Sequence, residues 1–481
     1  MRTLLLGLTL LAAHAAAQDA GVAPATVDVA SAPVPDDAGV PPTASDAQVA
    51  QAAPVAPAPA PGPAAAVLSV LTKFNTSLSG FVELDAIADS TQSFNDVAGN
   101  AAVARGDTYA GSHGRLTFGV RNSRVAFKIA APEFHTLKAS ATLELDFLGN
   151  QPPNATEAAF FTNPSLRIRH AWLKVESPYV DVLFGQTWQL FGWQPYFLPN
   201  TVGIQGVPGQ AYSRSPQLRL SHVFKTEFVN VEVAAAASRA PQRDALVPDG
   251  EGGVRVLFNQ RKGLRTMGAT HTAVDALSLG VSGVVRRFDL PEFTAAPKQD
   301  TSVLGWGFSL DAMVPIIPAT LDDRGNALTL TANFVRGEGI SDLFTGLTGG
   351  VSFPALPNPT GATPAPVYTP DVDTGPVSFS PDGVLHPVRW EAFVVGLQYA
   401  LPPSGRFWVT ANYSQLASRN AQDFGAPTRV FTFSRWFDAN LFCEVTPAVR
   451  LGLEYAWFGQ TYADGAQAQN HRAQLSAFYL F

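Results

Sequence analysis

Seven arginines recur on segments that alternate apolar and polar residues: Arg115, Arg121, Arg124, Arg167, Arg169, Arg219 and Arg255. A guanidinium offers a permanent charge and a planar fork of donors, which suits carboxylate or phosphate. Glu83, Asp85, Asp89, Glu144, Asp146 and Glu232 stand on segments of the same kind, on the face away from the apolar residues. Set across a narrow wet passage, the two sets would make a transverse field that sorts ions by sign, with a preference for anions. Set side by side, each arginine would only neutralise its neighbour and satisfy a wall. The residues alone leave both readings open. Inward lysines are few, Lys128 and Lys138, too few for a lysine ladder selective for phosphate.

Other chemistry finds little footing. His113, His135, His170, His222, His271, His386 and His471 are scattered without the spacing of metal ligands. No serine, histidine and acid stand out on neighbouring segments as a hydrolytic triad would require. Gly250–Gly253 follows no phosphate-loop pattern. No catalytic residue, cofactor or metal is therefore expected. Cys443, the single cysteine, excludes an intramolecular disulfide; with Ala439, Leu441 and Val445 it reads as a small hydrophobe on an apolar face. The net charge of −7 is uneven: residues 18–66 hold Asp19, Asp28, Asp36, Asp37 and Asp46 and no base. The remainder is nearly balanced, with no basic excess for nucleic acid.

The elements that must position these charges have a period of two. Along Leu137–Phe147, Leu137, Ala139, Ala141, Leu143, Leu145 and Phe147 face one way, and Lys138, Ser140, Thr142, Glu144 and Asp146 the other. Val82, Leu84 and Ala86 oppose Glu83 and Asp85; Leu451, Leu453, Tyr455 and Trp457 oppose Arg450, Gly452 and Glu454. One apolar and one solvated face is the pattern of a membrane strand. Beyond the N-terminus no run reaches the roughly 20 apolar residues of a membrane helix. The expectation is an all-β fold, a transmembrane antiparallel barrel of sixteen strands, near 79–90, 114–129, 136–148, 165–175, 179–188, 215–224, 227–237, 253–261, 275–288, 302–315, 327–337, 389–401, 406–417, 429–445, 449–461 and 471–481. Short connections alternate with long ones, which would place the long loops outside and the short turns in the periplasm. The second strand changes phase, from Leu116, Phe118 and Val120 to Val125, Phe127 and Ile129, so a bulge is expected near Asn122. Trp390, Trp408, Trp436, Tyr455, Trp457 and Tyr479 read as interfacial girdles.

The two ends of the chain agree on the compartment. Arg2, the apolar run Leu4–Ala13 and the small residues Ala15–Ala17 form a signal peptide, residues 1–17, with cleavage before Gln18. Residues 18–66, dominated by Ala and Pro with APAPAPG at Ala56–Gly62, cannot bury a core and are expected to be a disordered periplasmic segment. It would serve as a spacer, or as a tether to peptidoglycan. Residues 67–481 form the barrel. The last strand, HRAQLSAFYLF, stops on an aromatic, with Tyr479 and Phe481 on its apolar face.

Several stretches together resemble the DcaP-like family of trimeric bacterial outer-membrane porins. They are GFVELDAIADS at 80–90, RNSRVAFKIAAP at 121–132, LKASATLELDFLGN at 137–150, LRIRHAWLKV at 166–175, FGQTWQLF at 184–191, SRSPQLRLSHVF at 213–224 and FDANLFCEVTPAVRLGLEYAWFGQ at 437–460. The terminal Phe481, with Tyr479 before it, is similar to the signal read by the barrel assembly machinery. The resemblance implies a homotrimer in outer-membrane lipid, passive diffusion of small hydrophilic solutes, and anions of the dicarboxylate kind as the solute class. It also implies that the third outer loop, Gln186–Ser213, folds inward and narrows the channel. Members often carry a helical periplasmic extension where this chain has Ala/Pro repeats. A phosphate-selective porin and a mainly structural link between membrane and cell wall are the alternatives.

Overall fold

A computed structural model describes residues 73–99, 101–149, 164–203, 208–265, 269–294, 296–344, 375–425 and 427–481. The signal peptide and the Ala/Pro segment expected over 1–66 lie outside these residues. Nineteen strand segments are present among them. The first nine are β1 (Asn75–Asp89), β2 (Arg115–Gly119), β3 (Arg124–Ala130), β4 (Lys138–Asp146), β5 (Arg167–Glu176), β6 (Asp181–Trp188), β7 (Arg214–Lys225), β8 (Val229–Ser238) and β9 (Asp249–Arg265). Then come β10 (Ala273–Pro291), β11 (Asp300–Ile317), β12 (Leu328–Glu338), a loop hairpin of β13 (Val377–Phe379) and β14 (Leu385–Pro387), β15 (Arg389–Ala400), β16 (Phe407–Ser418), β17 (Phe431–Glu444), β18 (Val449–Tyr462) and β19 (Gln467–Leu480).

Every wall strand pairs antiparallel with its neighbours in sequence, and β1 closes the ring against β19 with Phe81 opposite Leu480 and Asp89 opposite Arg472. At the seam, Gly80 N–H donates to the Phe481 carbonyl (2.9 Å) and Phe481 N–H to the Gly80 carbonyl (3.1 Å). Segments β2 and β3 both pair with β1 and are halves of one wall strand, so the barrel has sixteen strands, all at the expected places. The phase change falls where expected. Between the pairs Asp85–Gly119 and Phe81–Arg124, four residues on one strand face three on the other. The extra residue lets Arg121 and Asn122 turn inward, where Asn122 Nδ2 donates to Glu83. Both barrel ends, Asn75 and Leu480, lie with the short turns; the long connections 90–114, 147–166, 189–213 and 339–388 share the other end.

The alternation sorts side chains as lipid and water demand. Leu84, Phe118, Leu143, Leu173, Leu310, Leu453 and Leu475 are exposed outward, while Glu83, Asp146, Asp311, Asn412, Asp438 and Arg472 are buried on the lumen side. The aromatic girdle needs correcting. Tyr455 and Tyr479 are exposed outward as expected, but Trp390, Trp408 and Trp436 are buried. They share the inward parity of Ala392, Thr410 and Asp438. Trp408 stacks on Phe442 with the Arg450 guanidinium over it, and Trp390 and Trp436 pack with Phe94, Phe344 and Phe458 beneath the long loops.

Candidate pore constriction

The third long loop, 189–213, does not stay at the rim. Leu190, Phe191, Trp193, Phe197, Leu198 and Val202 are all buried. An apolar loop entering a wet barrel must cover its apolar side and satisfy its own N–H and C=O groups. Leu190, Trp193 and Phe197 pack on Ala234 and Ala236 of β8 and Met313 of β11. Trp193 lies against two wall glycines: a Cβ at Gly253 or at Gly280 would come within 2.9 Å of its ring. A glycine inside a strand marks such close approach.

The loop's backbone then finds partners on both sides of the lumen. On β9 and β10, Glu251 accepts from Phe191 N–H (2.8 Å), Ser282 Oγ accepts from Gly192 N–H (2.8 Å), and the Val281 carbonyl accepts from Trp193 Nε1 (2.9 Å). On the other side, Thr410 and Asn412 donate to the Asn200 carbonyl at 2.8 and 3.1 Å. Val202 N–H donates to Asn440 (2.8 Å) and Glu454 (3.0 Å), and Gly203 N–H donates to Glu454 (2.9 Å). The loop thus crosses the lumen from β9–β10 to β15–β18, as the resemblance implied.

Beside the loop the arginines gather, and most of them are paired. Arg167 grips Asp146 with two bonds, 2.9 and 2.7 Å. Arg169 reaches Glu144 at 2.6 Å and Asp146 at 3.0 Å, and Arg124 lies 3.4 Å from Glu144 with its guanidinium over the Phe81 ring. A bulge makes this cluster. Glu144 pairs with His170 and Leu145 with Ile168, so Arg169 is the extra residue and turns inward beside His170. Re-aiming a side chain is what a bulge does. A cavity of about 80 Å³ separates this cluster from the loop, lined by Phe81, Arg124, Arg169, Trp188, Val202 and Tyr212.

The remaining candidates disperse. Arg121 is buried against Asp96 (3.1 Å) and the Phe147 carbonyl (3.3 Å). Arg115 stands at the outer rim, donating to Asn95 (3.2 Å). Arg255 chelates Glu232 at 3.0 and 2.6 Å and stacks on Tyr196 of the loop at 3.5 Å. Arg219 bonds to Gln217 and the Trp188 carbonyl, and no carboxylate among the described residues forms a salt bridge with it. Asp85 accepts from Gln474 at 3.1 Å and Ser476 at 2.5 Å. Asp89 is held by Arg472 across the seam at 2.9 and 2.8 Å. Glu144, Asp146, Glu232 and Asp89 therefore do not oppose arginines across the lumen. They sit beside their arginine on the adjacent strand, because cross-strand neighbours on one face are the nearest partners available.

Two residues escaped sequence reasoning. Arg214 opens β7, its guanidinium 4.8 Å from the Trp188 ring and 5.7 Å from the Tyr212 ring, with no acid partner among the described residues. Ser215, Gln217 and Arg219 alternate with the exposed Pro216 and Leu218, and Arg214 is out of phase with them, so the period of two gave no signal for it. Tyr212, at the loop's end, hydrogen-bonds Arg169. Burial opposes its phenolate, yet Arg169, Arg214 and Arg124 outweigh that and pull its pKa down to about 7. The arginines without a salt bridge lie on β7; eight strands round in either direction is β17, where Asp438 is buried without a cation among the described residues, and beside it on β18 is Glu454.

No protein-family model matches the chain, and no curated protein does. Solved structures do. The outer membrane channel DcaP of Acinetobacter baumannii overlays with a TM-score of 0.61 at 18% identity, over 85% of this chain and 98% of that one. Looser overlaps, too low to argue from, are the anion-selective porin of Comamonas acidovorans (TM-score 0.47, 10% identity, 85% and 100% covered) and OmpF of Salmonella typhi (0.48, 9%, 85% and 98%). The barrel has the outer-membrane porin fold of the DcaP type.

Proposed function

We propose that this chain is an outer-membrane porin that passes small hydrophilic solutes by diffusion, with a preference for anions of the dicarboxylate kind. The fold supports the channel. One observation carries the charge preference: among the described residues Arg214 and Arg219 stand beside the inward loop without a carboxylate in salt-bridge contact. Paired arginines contribute little net field, since each carboxylate cancels the guanidinium it touches. An unpaired one in a narrow passage of low effective dielectric attracts anions over several ångströms. Its planar fork fits a carboxylate. With the chain's family resemblance, this favours a homotrimer whose residues 18–66 extend into the periplasm.

The test is the reversal potential of single channels in a salt gradient. Arg214→Ala with Arg219→Ala should shift it toward cations. Arg167→Ala, which removes one of the two arginines on Asp146, should shift it in the same direction by less, since Arg169 still holds that carboxylate. The shift should shrink at high salt, where the Debye length falls from about 10 Å at 0.1 M to about 3 Å at 1 M. A conducting Arg214/Arg219 variant with an unchanged reversal potential would refute the anion preference.

A further inference from the structure

Away from the lumen, the outward face of the wall carries a group of charges that transport does not use. Trp306 on β11, Arg336 and Glu338 on β12, Arg389 and Glu391 on β15, and Arg419 just after β16 line a cavity of about 250 Å³. They share the outward parity of Leu310, Phe334 and Phe393, which belong to the lipid-facing band. Register brings them level: Trp306 pairs with Glu338, Glu338 with Arg389, and Arg336 with Glu391. All lie at the long-loop end, where β12 runs into the connection 339–388.

The carboxylates here are more committed than the guanidiniums. Glu338 accepts from Trp306 Nε1 on one oxygen (2.9 Å) and from Arg389 on the other (3.2 Å). One oxygen of Glu391 is shared by Arg419 at 3.2 Å and Arg336 at 3.8 Å. Each arginine thus spends at most one donor, and their side chains remain 50%, 63% and 65% exposed for Arg336, Arg389 and Arg419. Three cations meet two anions, with unused donors converging on one recess. An exposed tryptophan held by its indole N–H marks the depth where hydrocarbon gives way to headgroups. Basic residues at that depth attract anionic headgroups, and guanidinium forks suit phosphate oxygens.

The geometry points to a binding site for the phosphorylated headgroup of an outer-leaflet lipid, its acyl chains running down the apolar band beside Leu310, Phe334 and Phe393. This rests on the barrel lying in an outer membrane with its long loops outward, and not on what the pore conducts. The full-length protein, purified in detergent, is titrated with bis-phosphorylated lipid A, with the same lipid stripped of phosphate, and with inorganic phosphate, and bound lipid is counted by native mass spectrometry. Arg336→Ala/Arg389→Ala/Arg419→Ala should weaken lipid A binding roughly tenfold or more. It should leave conductance and oligomer size unchanged, and leave the weak binding of the stripped lipid as in the parent. Inorganic phosphate should not displace lipid A, because it lacks the chains. Glu338→Gln/Glu391→Gln should tighten binding, which keeps the test decisive if the triple variant fails to fold. Equal lipid A affinity in parent and variants, indifference to the phosphates, or displacement by inorganic phosphate would overturn the proposal. So would loss of oligomers in the triple variant, which would make the cluster a contact between copies.

Discussion

On β4, Glu144 and Asp146 find their cations on the adjacent strands, in Arg124, Arg167 and Arg169. On β17 and β18, Asp438 and Glu454 touch no arginine among the described residues; Asn412 holds the first at 2.6 Å and the loop's N–H groups hold the second. Both walls bury acids, but one oxygen of Asp438 is left without a hydrogen bond. The first wall pairs its acids with arginines of its own neighbouring strands, and the loop adds only the Tyr212 bond to Arg169. In the second, Glu454 relies on a segment that reaches it across the lumen. Acids on one wall are held by arginines of neighbouring strands, and an acid on the other holds the end of the loop.

The largest effect should come from the seam where the two regions join. Phe481→Asp places a charge on the outward face, where Phe481 is 42% exposed toward lipid. It should abolish assembly, read as loss of the heat-modifiable band and of surface protein. Normal surface levels would show that closure tolerates a charge there.

Next comes the dependence of the second wall on the loop. Glu454→Ala with Asn440→Ala removes both acceptors of Val202 N–H and the acceptor of Gly203 N–H. A buried donor left without a partner costs about 1–3 kcal/mol, enough to release this end of the loop. Single-channel conductance should rise severalfold and become noisier, while Glu144→Gln leaves conductance near the parent value and strengthens anion preference. Equal conductance changes in the two would erase the distinction between the walls.

The smallest effect concerns pH. Tyr212 ionises near 7, and its phenolate adds a negative charge beside Arg169 and Arg214. Anion preference should fall as pH rises through about 7, and Tyr212→Phe should hold the preference constant across that range. Reversal potentials on either side of neutrality measure it. A variant that keeps the parent's pH dependence would assign the effect to another group.

What was legible in the sequence follows from which solvent each residue meets. Lipid outside and water inside enforce a period of two, so Leu143 against Glu144, or Leu453 against Glu454, could be assigned to opposite faces and all sixteen strands found. The phase change near Asn122 was legible for the same reason. Trp390, Trp408 and Trp436 were misread because an aromatic on a membrane strand suits an interface. Their parity with Ala392, Thr410 and Asp438 was the better guide. The partners of the arginines needed cross-strand register, which no single segment contains: Asp146 lies beside Arg167 only because β4 and β5 are aligned that way. The docking of Trp193 on Gly253 and Gly280 is tertiary, and two glycines in separate strands announce only that something comes close.

A loop fastened to both sides of the lumen also has a mechanical meaning. A sixteen-stranded tube is compliant in cross-section, and lateral pressure from the bilayer tends to flatten it into an ellipse. The segment from Phe191 to Gly203, bonded to β9–β10 at one end and β17–β18 at the other, forms a strut along a chord of the ring. Flattening of this barrel along that chord would have to shorten a piece of polypeptide bonded at both ends.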